Sequence, residues 1–403
     1  MSEWQETTLG EVIDFTTGRL NSNAAVIDGK YPFFTCSPKT LKIDIYAFDC
    51  KAILLAGNNA NGQYSLKIYE GKFNAYQRTY VITPKKQEKI DLDYLYYLLN
   101  IQLNYFKEIS QGSATKFLTA VILKNLSLEL PPVSEQKKIA AVLSCLDHKI
   151  ENLRKQNETL EVMAQTLFKH WFVDFEFPNE DGKPYKSSGG EMVRSELGEI
   201  PAGWRVGELG DVADVKSSKR IFLSEYVEFG IPFYRSKEII ELSSGQEITT
   251  PLYISEERFR EIESKFGVPE VGEILVTSVG TIGVTYIVSS RDKFYFKDGN
   301  LTWIKNFRHG FNGVVIYYWL KSDSTRNQIE QNTIGSTQKA LTIQALSGLN
   351  LILPDSNVLS RYRDFVESIH NKRESNTQQI ITLTKTRDVL LPQLMSGKLR
   401  ITK

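Results

Sequence analysis

Cysteine is scarce in this 403-residue chain: Cys36, Cys50 and Cys145 are all there is, and no two form a CxxC pair. So sparse and odd a set excludes a disulfide scaffold and a zinc ribbon, and suits a reducing compartment. No apolar run approaches the roughly 18 residues that a membrane-spanning helix requires. The opening Met1-Ser2-Glu3-Trp4-Gln5-Glu6 also lacks the basic-then-apolar layout of a secretion signal. A soluble, cytoplasmic protein without a membrane partner is expected. Excess charge of either sign is missing too, because 49 Lys and Arg face 48 Asp and Glu for a net charge of +1. Any hold on nucleic acid must therefore come from local patches.

Catalytic signatures are equally thin. There is no GxxxxGK[ST] loop, and the glycine-containing stretch 57–64 lacks the lysine that would reach phosphates. No GxGxxG follows a strand. Asn or Asp followed by Pro-Pro and an aromatic, the element that holds an adenine amino group in many DNA methyltransferases, does not occur. His148, His170, His309 and His370 are scattered, and no carboxylates fall into a metal-binding or acid–base spacing. The chain is expected to be no enzyme by itself, with no metal and no cofactor of its own.

What the chain does contain is a copy of itself. Trp4-Gln5-Glu6-Thr7-Thr8-Leu9-Gly10-Glu11-Val12 aligns with Trp204-Arg205-Val206-Gly207-Glu208-Leu209-Gly210-Asp211-Val212, and Pro32-Phe33-Phe34 with Pro232-Phe233-Tyr234. Further on, Gly112-Ser113-Ala114-Thr115-Lys116 matches Gly335-Ser336-Thr337-Gln338-Lys339, and Leu126–Pro131 matches Leu349–Pro354. A period near 200 residues is far too long for a solenoid and means a duplicated module.

Each module has a globular part and a long helix. Residues 52–56, 80–83, 273–277 and 284–288 read as buried strands. Helical spacing runs from Asp91, a suitable N-cap, to Ile109, with 312–332 as its counterpart. After Pro131-Pro132, with Ser134 able to cap, no Pro or Gly occurs before Pro178. There Ile139, Leu143, Leu146, Ile150, Leu153, Asn157, Leu160, Ala164, Leu167 and Trp171 alternate steps of four and three, a heptad seam. The second module repeats it through Leu359, Tyr362, Val366, Ile369, Arg373, Asn376, Ile380, Leu383, Arg387, Leu390 and Leu394. A helix from about 134 to 172 would be roughly 58 Å long, a strut. The expected fold is α+β: two duplicated mixed α/β domains separated by two long helices packed as an antiparallel coiled coil. The boundaries read 1–133 for the first globular domain, 134–176 for the central helix, 177–202 for an exposed linker, 203–355 for the second domain and 356–403 for the C-terminal helix.

This layout resembles the specificity (S) subunit of type I restriction–modification systems. The resemblance rests on Leu130-Pro131-Pro132-Val133-Ser134-Glu135-Gln136-Lys137-Lys138-Ile139-Ala140, on Leu197-Gly198-Glu199-Ile200-Pro201-Ala202-Gly203-Trp204, and on Leu390-Leu391-Pro392-Gln393-Leu394-Met395-Ser396-Gly397-Lys398-Leu399. It implies that each globular module is a target recognition domain reading one half of a bipartite sequence in double-stranded DNA. It further implies that the helices act as spacer and dock two methyltransferase subunits that modify adenine N6, with motor–nuclease subunits joining for cleavage. S-adenosylmethionine, ATP and Mg2+ would then reside on the partner subunits.

Recognition needs side chains for base edges and others for phosphates. In the first module the candidates are Asn58, Asn59, Asn61 and Gln63, whose amides suit adenine, with Arg78, Ser113, Thr115 and Lys116. In the second they are Ser278 and Thr281, the loop residues Ser336, Thr337, Gln338 and Lys339, and a basic cluster of Lys216, Ser217, Lys219, Arg220, Arg235 and Lys237. Along the seams Leu143, Ile150, Asn157, Leu160, Ile369, Asn376 and Leu383 are expected to set register. A polar residue in an apolar seam costs stability but penalises slippage, so Asn157 and Asn376 should meet. The competing reading is a two-domain coiled-coil adaptor that binds proteins and has no DNA specificity; a catalytic nuclease or methyltransferase is a third.

Overall fold

The computed structural model describes residues 4–59, 62–86, 89–110, 115–246, 248–335 and 339–401. The chain divides into two compact units, Met1–Leu153 with Gln379–Lys403, and Arg154–Gln378. The division therefore cuts both long helices, Val133–Phe172 and Ser356–Met395. Each unit holds one globular domain and a stretch of both helices.

In the first unit a six-stranded sheet runs in the order Ile13–Thr17, Thr79–Pro84, Phe48–Ala56, Leu66–Ala75, Tyr31–Phe34, Leu41–Ile43. All neighbours are antiparallel except Tyr31–Phe34, which lies parallel to Leu66–Ala75 with Phe33 opposite Asn74. Ala52, Ile53, Leu54 and Leu55 are buried, so this central strand is covered on both faces. Asp91 caps the helix Leu92–Ile101, its carboxylate accepting from the Tyr94 N–H at 3.0 Å. A separate hairpin-like pair, Gln5–Thr8 with Ser127–Leu130, brings the two ends of the domain together.

The central helix starts one residue before Ser134, which lies inside its first turn and caps nothing. Pro132 offers its carbonyl to the Gln136 N–H at 3.0 Å. Gln136, fully buried, then ties the helix to the domain: its amide donates to the carbonyls of Pro131 and Lys89 and accepts from the Asp91 N–H. Ile139 and Leu143 share one core with Leu391, Leu394 and Met395 of the second long helix and with Leu95, Leu99 and Leu128 of the domain. Asp147 pairs with Arg387 at 2.8 Å and Glu135 approaches Arg400 at 3.9 Å, so the helices run antiparallel.

The second unit keeps the plan with additions. Arg205–Glu208 pairs with Asn350–Leu353 as the first unit's ends do. The sheet splits into two four-stranded parts: Asp214–Lys216, Leu301–Lys305, Ile274–Thr277, Thr285–Ile287, and Tyr226–Val227, Tyr253–Ile254, Ile231–Tyr234, Tyr295–Phe296. The helices Ser236–Ser243 and Glu256–Phe266 fill the insertion that shifts the repeat from an offset of 200 to 223. Helix 312–332 is two helices, Gly313–Lys321 and Asp323–Gln331, broken where Ser322 caps the second. Residues 177–202, expected as an exposed linker, are folded instead. Phe177 stacks on Tyr185 and Trp204 with ring centroids 4.6 and 4.9 Å apart, and Met192–Ser195 forms a hairpin with Gly198–Pro201. The Gly/Pro/Ser content marked turns, and the aromatics between them supplied the core that a linker lacks.

Here too the helices are antiparallel. The Tyr362 ring meets Phe172 edge-on at 4.7 Å, Arg373 meets Glu161 at 2.5 Å, and the Asn376 amide donates to Asn157 Oδ1 at 3.0 Å. Asn157 Nδ2 in turn donates to Thr377 Oγ1 at 3.2 Å. Asn376 is fully buried and Asn157 half-buried, so the two amides meet inside the seam, Asn376 as the donor. Of the other register residues, Leu143, Ile150 and Ile369 are buried, and Leu160 and Leu383 half-buried. Glu161 also accepts from Lys321 at 2.7 Å. Burial pushes its carboxyl up, yet Arg373 and Lys321 hold it below the usual glutamate value.

Candidate nucleic-acid interface

The same junction occurs once in each globular domain. In the first, the buried strand Phe48–Ala56 runs out at Gly57, whose N–H donates to the Arg78 carbonyl at 2.7 Å and whose carbonyl accepts from the Leu118 N–H at 2.9 Å. In the second, Ile274–Thr277 runs out at Ser278, whose N–H donates to the Asn300 carbonyl at 2.8 Å and whose carbonyl accepts from Leu341 at 2.9 Å. The next residue forms an antiparallel bridge in both, Asn58 with Phe117 and Val279 with Ala340. A third arm comes from the position two residues beyond the strands Tyr31–Phe34 and Ile231–Tyr234. Cys36 Sγ lies 3.4 Å from the Arg78 carbonyl, and Ser236 Oγ donates to the Asn300 carbonyl at 3.1 Å. A Cβ on the Gly57 backbone would stand 2.6 Å from the Arg78 carbonyl oxygen, so a side chain there needs a local shift, which the second junction has made for Ser278.

Around the first junction the structure gathers Asn58, Asn59, Arg78 and Lys116, with Thr115 half-buried beside Lys116. Asn59 Oδ1 accepts from the backbone N–H of exposed Gln63 at 3.3 Å across the Gly62 turn, where φ is +69°. The exposed Arg78 guanidinium lies 5.2 Å from the centre of the Phe117 ring, an arrangement that holds the cation without neutralising it. Asn61 and Ser113 lie outside the described residues. Cys36 and Phe117 belong to this cluster as well, and neither carries a sequence pattern that marks it. The repeat alone could have flagged Cys36, which aligns with Ser236.

The second junction corrects several expectations. Ser278 is 4 % exposed and shares its hydroxyl with Thr302 at 2.6 Å, so it is scaffold and cannot reach a base. Thr281 does stand exposed, in a tight turn between Gly280 and Gly283, both with positive φ. Lys339 is exposed beside it, its carbonyl accepting from the Gly280 N–H at 3.3 Å. Ser336, Thr337 and Gln338 lie outside the described residues.

The basic cluster is largely self-neutralised. Lys216 pairs with Asp214 at 3.2 Å, Arg220 with Asp298 at 2.7 Å, Arg235 with the buried Glu238 at 2.5 Å, and Lys237 with Glu241 at 3.8 Å. Hydrogen bonds from Asn306 and Arg308 hold the Asp214 carboxyl far below the usual range, so it stays charged. Among the described residues Lys219 is the cation of this group without a carboxylate partner; it rests 5.2 Å over the Phe266 ring. Ser217 Oγ faces the Gly299 N–H at 3.5 Å, at the edge of hydrogen bonding. Among the described residues no three His, Cys, Asp or Glu side chains are placed to hold a metal ion, and no helix is long and apolar enough to cross a membrane.

Residues 1–162 and 201–385 each match the family described as type I restriction modification DNA specificity domain. The chain belongs to this family. Similar proteins include the type I restriction enzyme MjaIX specificity subunit of Methanocaldococcus jannaschii, 33 % identical over 321 residues that make up 77 % of this chain and 69 % of that one. The EcoDI specificity subunit of Escherichia coli is 36 % identical over 230 residues, 53 % of this chain and 50 % of its own. The fold is also that of a type I S subunit from M. genitalium, with a TM-score of 0.65 at 17 % identity over 97 % of this chain and 96 % of that one. As a type I specificity subunit, the chain supplies DNA sequence recognition and is not itself the catalyst. Each matched block contains one copy of the junction and an adjoining length of helix.

Proposed function

We propose that each globular domain of this specificity subunit reads one half of a bipartite target in double-stranded DNA. The observation that carries the reading is the duplicated junction: one backbone scaffold occurs twice and presents different side chains each time. Asn58 with Arg78 and Lys116 stands at the first, and Val279 with Thr281 and Lys339 at the second. A shared scaffold with unlike surfaces suits two half-sites of unlike sequence. The long helices act as spacer, with the Asn157–Asn376 pair holding their register. They dock two methyltransferase subunits that transfer a methyl group from S-adenosylmethionine to adenine N6. Motor–nuclease subunits using ATP and Mg2+ join the same assembly to cleave unmodified DNA. Because several cations are internally paired, the isolated chain binds DNA weakly and with steep salt dependence, and the partners add phosphate contacts.

The test is to assemble the chain with its methyltransferase subunits and methylate a library of random-sequence duplexes. Methylation confined to one bipartite sequence is the expected result. Assembly without any sequence restriction would favour the protein-binding adaptor.

A further inference from the structure

We propose that Cys36 is a specificity-determining positioning residue: its thiol fixes the Asn58 amide so that the NH2 group, not the carbonyl, faces the DNA. The inference rests on the proposed role of the first junction in base readout. Cys36 Sγ lies 2.9 Å from Asn58 Oδ1, closer than the 3.4 Å to the Arg78 carbonyl. A thiol carries one proton, and the nearer oxygen takes it. With Oδ1 so engaged, Nδ2 points away, and among the described residues no acceptor meets it. Asn58 is half-buried and its backbone is pinned by the bridge to Phe117, which leaves the amide few other orientations.

The consequence is a donor presented to the groove. A side-chain NH2 matches purine N7, guanine O6 or thymine O4, and mismatches the amino groups of cytosine and adenine. The device is confined to the first domain. At the second junction Ser236 satisfies the Asn300 carbonyl instead, and the residue in the place of Asn58 is Val279, which has no amide to orient. The thiol therefore acts on one half-site alone.

The experiment uses the assembled methyltransferase complex, S-adenosylmethionine and two duplex libraries, each randomised across one half-site. Cys36→Ala is expected to reduce discrimination at one position of the first half-site by about tenfold, the scale of one hydrogen bond to a base. Cys36→Ser keeps a donor and retains the preference. Asn58→Asp, which replaces the outward donor by an acceptor, moves that position toward cytosine or adenine. The second half-site stays unchanged in all three. If Cys36→Ala leaves the first half-site unaltered, or relaxes both half-sites alike, the positioning role is overturned. If the unsubstituted complex shows no sequence restriction, it is the reading of the domains as recognition modules that fails.

Discussion

The two globular domains share a backbone junction to within a tenth or two of an ångström in its hydrogen bonds, and almost nothing of its surface chemistry. At the first, the cation nearest the junction, Arg78, lies on an aromatic ring and keeps its charge. At the second, four of the six cations named, Lys216, Arg220, Arg235 and Lys237, are matched by acids of the same domain, which leaves Lys219 and Lys339. Duplication preserved what closes the strand end and released what faces outward. At the first surface the free cation stands at the junction itself, and at the second most of the cluster is already paired.

The largest expected effect breaks the comparison outright. Replacing residues 1–130 by the equivalent module of another family member should change the first half-site completely and leave the second as it was, as read by sequencing the methylated DNA. A change in both would mean the domains do not act separately. Next in size is the half-buried Glu161. Glu161→Gln leaves Arg373 and Lys321, each about a quarter exposed, without their counter-charge and should destabilise the second unit by about 1–3 kcal/mol in denaturant unfolding. Since the native carboxyl is held below its ordinary value of 4.5, its contribution is present above that pH and is lost as pH falls through the native value.

Asn157→Leu takes the 3.0 Å acceptor from the fully buried Asn376 amide and leaves it Gln156 Oε1 at 3.3 Å, so a loss of about 1 kcal/mol is expected. The double Leu variant should recover that stability yet methylate targets whose spacer differs by a base pair, which the parent rejects. Charge removal sharpens the contrast between surfaces. Arg78→Ala should lower the slope of log affinity against log salt by about 1, whereas Arg220→Ala, already paired with Asp298, should leave it unchanged. The smallest effect concerns His370, which faces Glu374, Arg373 and Glu161. Burial lowers its pKa from 6.5, so the unfolded chain takes up a proton first, and stability should fall as pH drops below 6.5. His370→Gln should remove that slope.

The long elements were legible because their signals are periodic. Leu and Ile at heptad spacing announce a seam, and an unbroken 52–56 apolar run announces a buried strand. The polar surface was not. Whether Ser278 faces water or Thr302 depends on a strand 24 residues later, and the partner of Arg220 lies 78 residues away. Local composition holds no record of such pairings. The failure at 177–202 has the same origin, since Phe177 finds its ring partners only once the chain has turned back on itself. Cys36 is illegible for a different reason: a lone thiol matches no motif, and its meaning comes from the oxygens the fold sets beside it.

The antiparallel seam also sets a timetable for synthesis. Ile139 and Leu143 complete their core with Leu391, Leu394 and Met395, which leave the ribosome roughly 250 residues later. At ~5–20 residues per second that is a wait of about 10–50 s. Throughout it the first domain carries an uncovered apolar helix face, while everything the second domain needs from Arg154 to Gln378 emerges in one stretch. The half made first is thus the half finished last, and a prematurely released chain would carry that exposed face as a mark for chaperones and proteases.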